Sequence, residues 1–178
     1  MEQQAEWPGG HQQFLLRPIG VIRTPHTEVI ETPIQPLAAK GIRGRIILDE
    51  ALCEGLADLE GFSHITLIYL FHRTPYFRLK VIPFMDSVER GIFATKAPAR
   101  PNHIGISTVR LLHIETNILH IEEVDMLDET PLLDIKPFVP RFDNRETHRC
   151  GWFDRSGEFP ADRMKADARF HESPEHGL

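Results

Sequence analysis

With 178 residues, 41% of them hydrophobic, the chain is long enough to bury one real core, and no second domain needs to be invoked. A net charge of −6 and a pI near 5.9 exclude uniform attraction to a polyanion, so any nucleic-acid contact has to use a local basic face. No apolar run is long enough for a membrane-spanning helix, and Cys53 and Cys150 stand apart without CxxC spacing or a secretory h-region, so the expectation is a reduced, cytoplasmic setting.

Residues 1–13 are polar and broken by Pro8, Gly9 and Gly10, a loose lead-in. Ile19 to Ile22 reads as a short strand ended by Arg23-Thr24-Pro25. The stretch to Ala39 holds Pro33 and Pro36 without a hydrophobic period, and loops of that length in compact domains usually bind something, which nominates Gln35, Pro36, Leu37 and Ala38. Arg43 to Leu48 is the next strand; Asp49 then caps a short helix in which Leu52, Leu56 and Leu59 share a face and which stops at Gly61. His64 to Phe71 is nearly all apolar and rich in β-branched and aromatic residues, as in a central strand covered on both faces. His72 and Arg73 come directly after it at its mouth, where a barrel commonly presents ligand-contacting groups; the plainer alternative is a strand-end histidine bonded to a neighbouring carbonyl.

Phe77 to Pro83 is a further short strand, with Pro83 suited to its end. The chain is organised around Arg90 to Thr108, where Arg90, Lys96 and Arg100 sit among small residues and the prolines Pro98 and Pro101, between β-like runs at Gly91 to Thr95 and Ile104 to Thr108. Prolines stiffen such a loop, and Gly105 lets another backbone or a ligand come close. Arg100 beside Asn102 suits holding a polar ligand; the competing account is a solvated loop paired with the chain's acids. Ile104 to Ile114 and Ile118 to Met126 form a hairpin about Glu115-Thr116-Asn117. Asp128-Glu129-Thr130-Pro131 breaks the pattern, and Leu132 to Lys136 resumes it.

The tail is charged, with Trp152 and Phe153 as docking anchors and a helical turn or two at Arg163 to Phe170. The expected fold is all-β: a single-domain β-barrel of short strands with one or two short peripheral helices, comprising a flexible lead at 1–13, a barrel at 14–142 and a tail at 143–178 packed on or near it. Lack of βαβ alternation and of a GxGxxG turn argues against a Rossmann nucleotide site. The ten histidines show no ligand spacing beyond His148-x-Cys150, so no metal site is expected, and Cys53 sits in an apolar helix with no histidine nearby in sequence.

The segments IGVIRTPH (Ile19 to His26), PIQP (Pro33 to Pro36), GLADLEGFSHI (Gly55 to Ile65), RGIFATKAPARPNHIGIST (Arg90 to Thr108) and DMLDETPLLDIKPFVP (Asp125 to Pro140) resemble, in order and spacing, the TsaA-like family of TrmO-type tRNA methyltransferases. The resemblance implies a β-barrel methyltransferase that uses S-adenosylmethionine to methylate the exocyclic N6 of threonylcarbamoyl-modified adenosine beside the anticodon, acting as a homodimer. It implies cofactor contacts at Gln35, Pro36, Leu37, Ala38, His72, Arg73, Arg100, Arg110, Leu127, Asp128, Glu129, Thr130 and Pro131. Within that set Arg100 suits the cofactor carboxylate as a bidentate partner, and Asp128 and Thr130 its hydroxyl or amino groups. Asn102 or a backbone carbonyl is the candidate to orient the substrate amine and Asp128 the candidate proton acceptor, although a strong base is not obligatory. Lys96, Arg90, Arg78 and Lys80 are candidate RNA contacts, with Arg73 beside them. The alternative function is an S-adenosylmethionine- or nucleotide-binding sensor without turnover. Two positions depart from the family's RPNP and DGTP: His103 and Glu129. A glutamate where the turn needs positive φ costs about 1 kcal/mol and brings a carboxylate towards the ligand, unless the turn is of another type.

Overall fold

The structure is a computed structural model that describes residues 14–155, 160 and 164–170; the expected N-terminal lead lies outside the described residues. The strands are β1 (Gly20–Arg23), β2 (Arg43–Leu48), β3 (His64–Leu70), β4 (Lys80–Val81), β5 (Arg90–Gly91), β6 (Ile104–Glu115), β7 (Ile118–Glu122) and β8 (Thr130–Pro137). Six of them close into an antiparallel barrel in the order β1-β2-β7-β6-β3-β8, while β4 and β5 pair in a small separate ribbon. One short α-helix, α1 (Pro140–Asp143), and several 3-10 turns complete the described elements. The expected all-β barrel is therefore the observed fold.

Period-2 patterning explains the closure, because alternate side chains of each strand must leave water together. Ile22, Ile46, Ile65, Leu67, Val109, Leu119, Ile121 and Leu132 are all buried in one core cluster. Each such side chain contributes roughly 1.5–3 kcal/mol by burial. β3 differs from its expectation. Ile65, Leu67 and Tyr69 point inward, but Thr66, Ile68 and Leu70 are only half-buried, so the strand is covered fully on one face. Its apolar run reflects packing partners outside the barrel as well as inside.

Other elements are shorter or tighter than the sequence suggested. Asp49 caps as expected, its Oδ1 accepting from Ala51 N at 3.0 Å, but the element it caps is a 3-10 helix over Glu50–Leu56. Asp58, at φ 65, breaks it from a second 3-10 turn at Leu59–Gly61. Seven residues give too few α-helical bonds to offset nucleation, so local turns prevail. Phe77 to Pro83 pairs only at Lys80–Val81, and the run from Gly91 to Thr95 becomes the 3-10 turn Ile92–Ala94. The hairpin turn forms where expected, with Thr116 at φ 55 and Asn117 Nδ2 donating to Leu48 O at 2.8 Å. β7 stops at Glu122 rather than Met126 because Glu123 turns to φ 71.

A second, smaller apolar cluster lies outside the barrel: Val81, Ile92, Ala97, Ala99 and Phe170, with Tyr76 and Phe84 against it. It seats the Arg90 to Thr108 loop. The tail reinforces this layer, since Ala166 N donates to Thr32 O at 2.8 Å and Ile34 N to Met164 O at 3.0 Å. The Phe84 and Phe170 rings meet edge to face at 5.0 Å. Residues near the C-terminus thus fix the loop that carries Gln35.

Candidate functional site

Between this outer layer and the barrel end formed by Tyr69, Leu70 and Ile104 to Ser107 lies a cavity of about 850 Å³, within the range of small-molecule and cofactor sites. Its walls come from the loop after β1, the mouth of β3, the Phe93 to Arg100 loop, the segment Asp125 to Leu127, Thr130, and the tail residues Trp152 and Phe153. Trp152 is held there by its Nε1, which donates to Ala94 O at 2.9 Å. From sequence these two aromatics were legible only as anchors.

Of the residues nominated from sequence, Gln35, Leu37, His72, Arg73, Arg100, Leu127 and Thr130 line the cavity, as does Lys96. Lys96 Nζ donates to Gln35 Oε1 at 3.3 Å, tying the two loops together at the rim. Arg100 is half-buried; its Nη1 donates to Thr95 O at 2.8 Å and to Ile92 O at 3.2 Å, with the guanidinium 5.9 Å from the Phe93 ring centre. One nitrogen thus braces the loop while Nε and Nη2 have no hydrogen-bond partner among the described residues. His72 Nδ1 lies 3.4 Å from Thr130 Oγ1, whose hydroxyl donates to Leu127 O at 2.7 Å. Burial, and then Arg73, push the His72 pKa below the usual histidine value, which keeps the ring neutral near pH 7.

The remaining nominees sit elsewhere. Pro36 and Ala38 belong to the 3-10 turn behind Gln35 and Leu37. Asn102 is exposed in the turn leading into β6. Arg110 lies further along β6, opposite His64 and away from the cavity, 3.4 Å from Glu122. Asp128 does not line the cavity: its Oδ1 accepts from Thr24 N at 3.0 Å and meets Arg23 Nε at 2.9 Å. That carboxylate fastens the turn before β8 to the end of β1. Pro131 pairs with Val21 in the barrel wall.

Glu129 adopts φ 62, so this turn does require the left-handed geometry that glycine prefers. Its carboxylate reaches Arg23 Nη1 at 3.5 Å. His103 also takes positive φ, 50°, which a proline ring cannot adopt, and its Nε2 donates to Tyr76 O at 2.8 Å. The two departures from the family pattern are therefore both turn positions with their own side-chain ties.

Among the candidate RNA contacts, Arg90 Nε meets Asp86 at 2.8 Å and Lys80 meets Glu89 at 3.7 Å, so acids already engage those two. Arg78 lies over the Tyr76 ring, and among the described residues neither it nor Lys96 forms an ion pair. Strand pairing also groups residues whose spacing hid them: His113 and His120 stack at 4.1 Å, with Glu115 3.7 and 3.5 Å from their Nε2 atoms. This trio, with His113 and Glu115 exposed and His120 half-buried, lies on the hairpin, at the opposite end of β6 from the cavity.

The cavity floor holds the residues that sequence reasoning missed. Tyr69 OH and Ser107 Oγ, from adjacent strands, share a buried hydrogen bond of 3.1 Å. Gly105 makes room for that tyrosine, because a Cβ there would lie 2.3 Å from Tyr69 Cε2; the close neighbour is a ring, not the backbone or ligand expected. Asp125 lines the same floor, and its Oδ1 is buried without a hydrogen-bond partner among the described residues. Burial raises its pKa to about 7, although Ser107 and Lys96 favour the ionised form. Burial, with the nearby Asp125 charge, also raises the Tyr69 pKa and keeps the phenol protonated. The available signal was the break in alternation after Ile121, which leaves an acid between the buried Val124 and Met126.

The floor and walls together offer apolar and aromatic surface, three cations (Arg73, Lys96, Arg100) and, among the described residues, one carboxylate. Comparison with known proteins agrees with this setting. The model of the tRNA-methyltransferase O N-terminal domain matches residues 21–144. A Pyrococcus abyssi protein named a probable S-adenosyl-L-methionine-binding protein is 51% identical over 86% of this chain and 83% of its own. The tRNA (adenine(37)-N6)-methyltransferase of Escherichia coli is 36% identical over 71% of this chain and 58% of its own. The crystal structure of TrmO from P. aeruginosa superimposes with a TM-score of 0.68 at 39% identity, covering 82% of this chain. The chain spans 64% of the length of that solved chain. By sequence, barrel topology and the motifs around the cavity, this chain belongs to the TsaA-like, tRNA-methyltransferase O N-terminal domain family.

Proposed function

We propose that the protein is an S-adenosylmethionine-dependent methyltransferase acting on the exocyclic N6 of threonylcarbamoyl-modified adenosine beside the tRNA anticodon. The observation that carries this reading is the cavity itself: three of the five motifs that resemble the family, Pro33 to Pro36, Arg90 to Thr108 and Asp125 to Pro140, contribute residues to one pocket of cofactor size at the barrel mouth. The residues fit the group. Arg100 keeps Nε and Nη2 for a carboxylate, Gln35 and Thr130 offer polar atoms for hydroxyls, and Leu37, Phe93 and Phe84 supply apolar surface for an adenine and a sulfonium. Bound there, the cofactor supplies a methyl group on a cationic sulfur. The protein's part is to align the acceptor with that methyl, exclude water and manage one proton. A neutral His72 adds no positive charge beside a sulfonium, which suits the same ligand.

Leu37, Phe93 and Ile106 line the cavity yet are largely exposed, at 72%, 75% and 58%. An apolar rim of this kind supports a homodimer in which a second subunit covers the mouth. Lys96 and Arg78, which form no ion pair among the described residues, are the cations offered to RNA phosphates, and a cytoplasmic location goes with a tRNA substrate. Methyl transfer from labelled cofactor to tRNA with and without the threonylcarbamoyl group tests the assignment. Label confined to the modified tRNA is the expected result. Tight cofactor binding with no transfer to either RNA would favour a sensor instead.

A further inference from the structure

Asp125 lies on the short segment between β7 and β8, and the backbone on both sides of it is clamped. Thr24 Oγ1 donates to Met126 O at 2.9 Å, His26 Nε2 donates to Val124 O at 3.1 Å, and both Val124 and Met126 are buried. The carboxylate is thus held at the cavity floor beside the Tyr69–Ser107 pair, with Oδ1 buried and, among the described residues, without a hydrogen-bond partner. A carboxylate kept buried with an empty hydrogen-bonding position weakens a fold, and the core around it is already closed by apolar side chains. A reason for keeping it there has to come from the cavity.

We propose that Asp125 is the general base of the methyl transfer, receiving the N6 proton of the carbamoylated adenosine. The inference rests on the methyltransferase reading of the cavity. An N6 that carries a carbamoyl group is a poor nucleophile, because its lone pair is shared with the purine ring and with the carbonyl. Its proton has to leave as the new bond forms. In the balanced step the nitrogen–carbon bond to the methyl forms and the sulfur–carbon bond breaks. The sulfur keeps the bonding pair as a neutral thioether, and the N–H proton passes to the Asp125 carboxylate. Asp128 is not available for this role, being engaged by Arg23 and Thr24 outside the cavity.

A base that titrates near the working pH is the effective one, and burial raises Asp125 to about 7. The groups that face it are Tyr69 from β3, held protonated, Ser107 from β6, and Lys96 from the loop above, which favours the anion. His72, Arg73 and Arg100 line the same cavity, and the His26 ring sits on the Val124 carbonyl next to it.

Single-turnover methylation of threonylcarbamoylated tRNA at saturating cofactor, between about pH 5.5 and 8.5, tests the proposal in the wild type and in Asp125→Asn. The wild-type rate should rise about tenfold per pH unit below its inflection near 7 and then level off. The asparagine variant should lose about 10² to 10⁴-fold in rate while binding cofactor and tRNA, measured by calorimetry, within about threefold of wild type. In the cofactor-free wild type, carbon-13 NMR of the Asp125 carboxyl should show the same elevated titration. A variant within a few-fold of an active wild type, a flat wild-type profile, or a loss of cofactor affinity matching the loss of rate would each overturn the proposal. The last would make Asp125 a cofactor ligand. A wild type that binds cofactor but methylates no tRNA would instead remove the functional reading beneath it. Should the variant fold poorly, the wild-type pH profile and NMR titration still decide.

Discussion

Replacing Asp125 with asparagine removes a charge that the fold tolerates badly, and stability should register this whether or not any ligand is present. The carboxyl titrates at about 7 in the folded chain against an ordinary 3.8, with burial as the main cause. Because the folded value is raised, the folded state binds more protons than the unfolded state between those two values. The stabilising contribution is fully present at the acidic end of that window and disappears as pH rises through about 7. A difference of about three pKa units corresponds to about 4 kcal/mol. Asparagine approximates the protonated acid at every pH, so wild type and variant should have similar urea midpoints near pH 4. Near pH 8 the variant should be the more stable by about 2–4 kcal/mol, and taking the difference cancels every other titrating group. A difference that stays constant between those limits would refute the argument and place Asp125 in contact with water or an unrecognised donor.

Further outcomes rest on individual contacts. Gly105→Ala drives a methyl into the Tyr69 ring and should cost about 1–3 kcal/mol in urea unfolding, with the Tyr69–Ser107 bond disrupted; a change below about 0.5 kcal/mol would show that the ring can yield. Arg100→Ala should weaken S-adenosylmethionine binding by about 1.5–3 kcal/mol in calorimetry, and unchanged affinity would move the cofactor carboxylate elsewhere. Glu129→Gly relieves a left-handed backbone and loses only an exposed ion pair to Arg23, so the thermal midpoint should rise in line with a gain of about 0.5–1 kcal/mol; a lowered midpoint would count against strain at this turn. Combined alanine substitution of Lys96 and Arg78 should flatten the slope of log tRNA affinity against log salt by about one to two units; an unaltered slope would exclude both from the RNA interface.

Period-2 alternation, proline and glycine punctuation and the missing βαβ units determined the barrel. These are local signals, set by which side chains must leave water and which turns the backbone can take. They were legible in the inward-facing Ile65, Leu67 and Tyr69 of β3 and in the Thr116-Asn117 turn. The cap at Asp49, the loop with Arg100 and the positive-φ demand at Glu129 were legible for the same reason. Charge pairing was not, since it depends on which strands become neighbours. Asp128 and Arg110 face partners about a hundred and a dozen residues away in sequence, and those partners direct them away from the cavity. Asp125 shows the limit most clearly. In sequence it is one more acid before a turn, and nothing local distinguishes it from Asp128. Only barrel closure, which brings the floor made by Tyr69 and Ser107 against the segment after β7, removes water from Asp125 Oδ1 and raises the pKa of the carboxyl, while the end of β1 takes Asp128 out of the cavity.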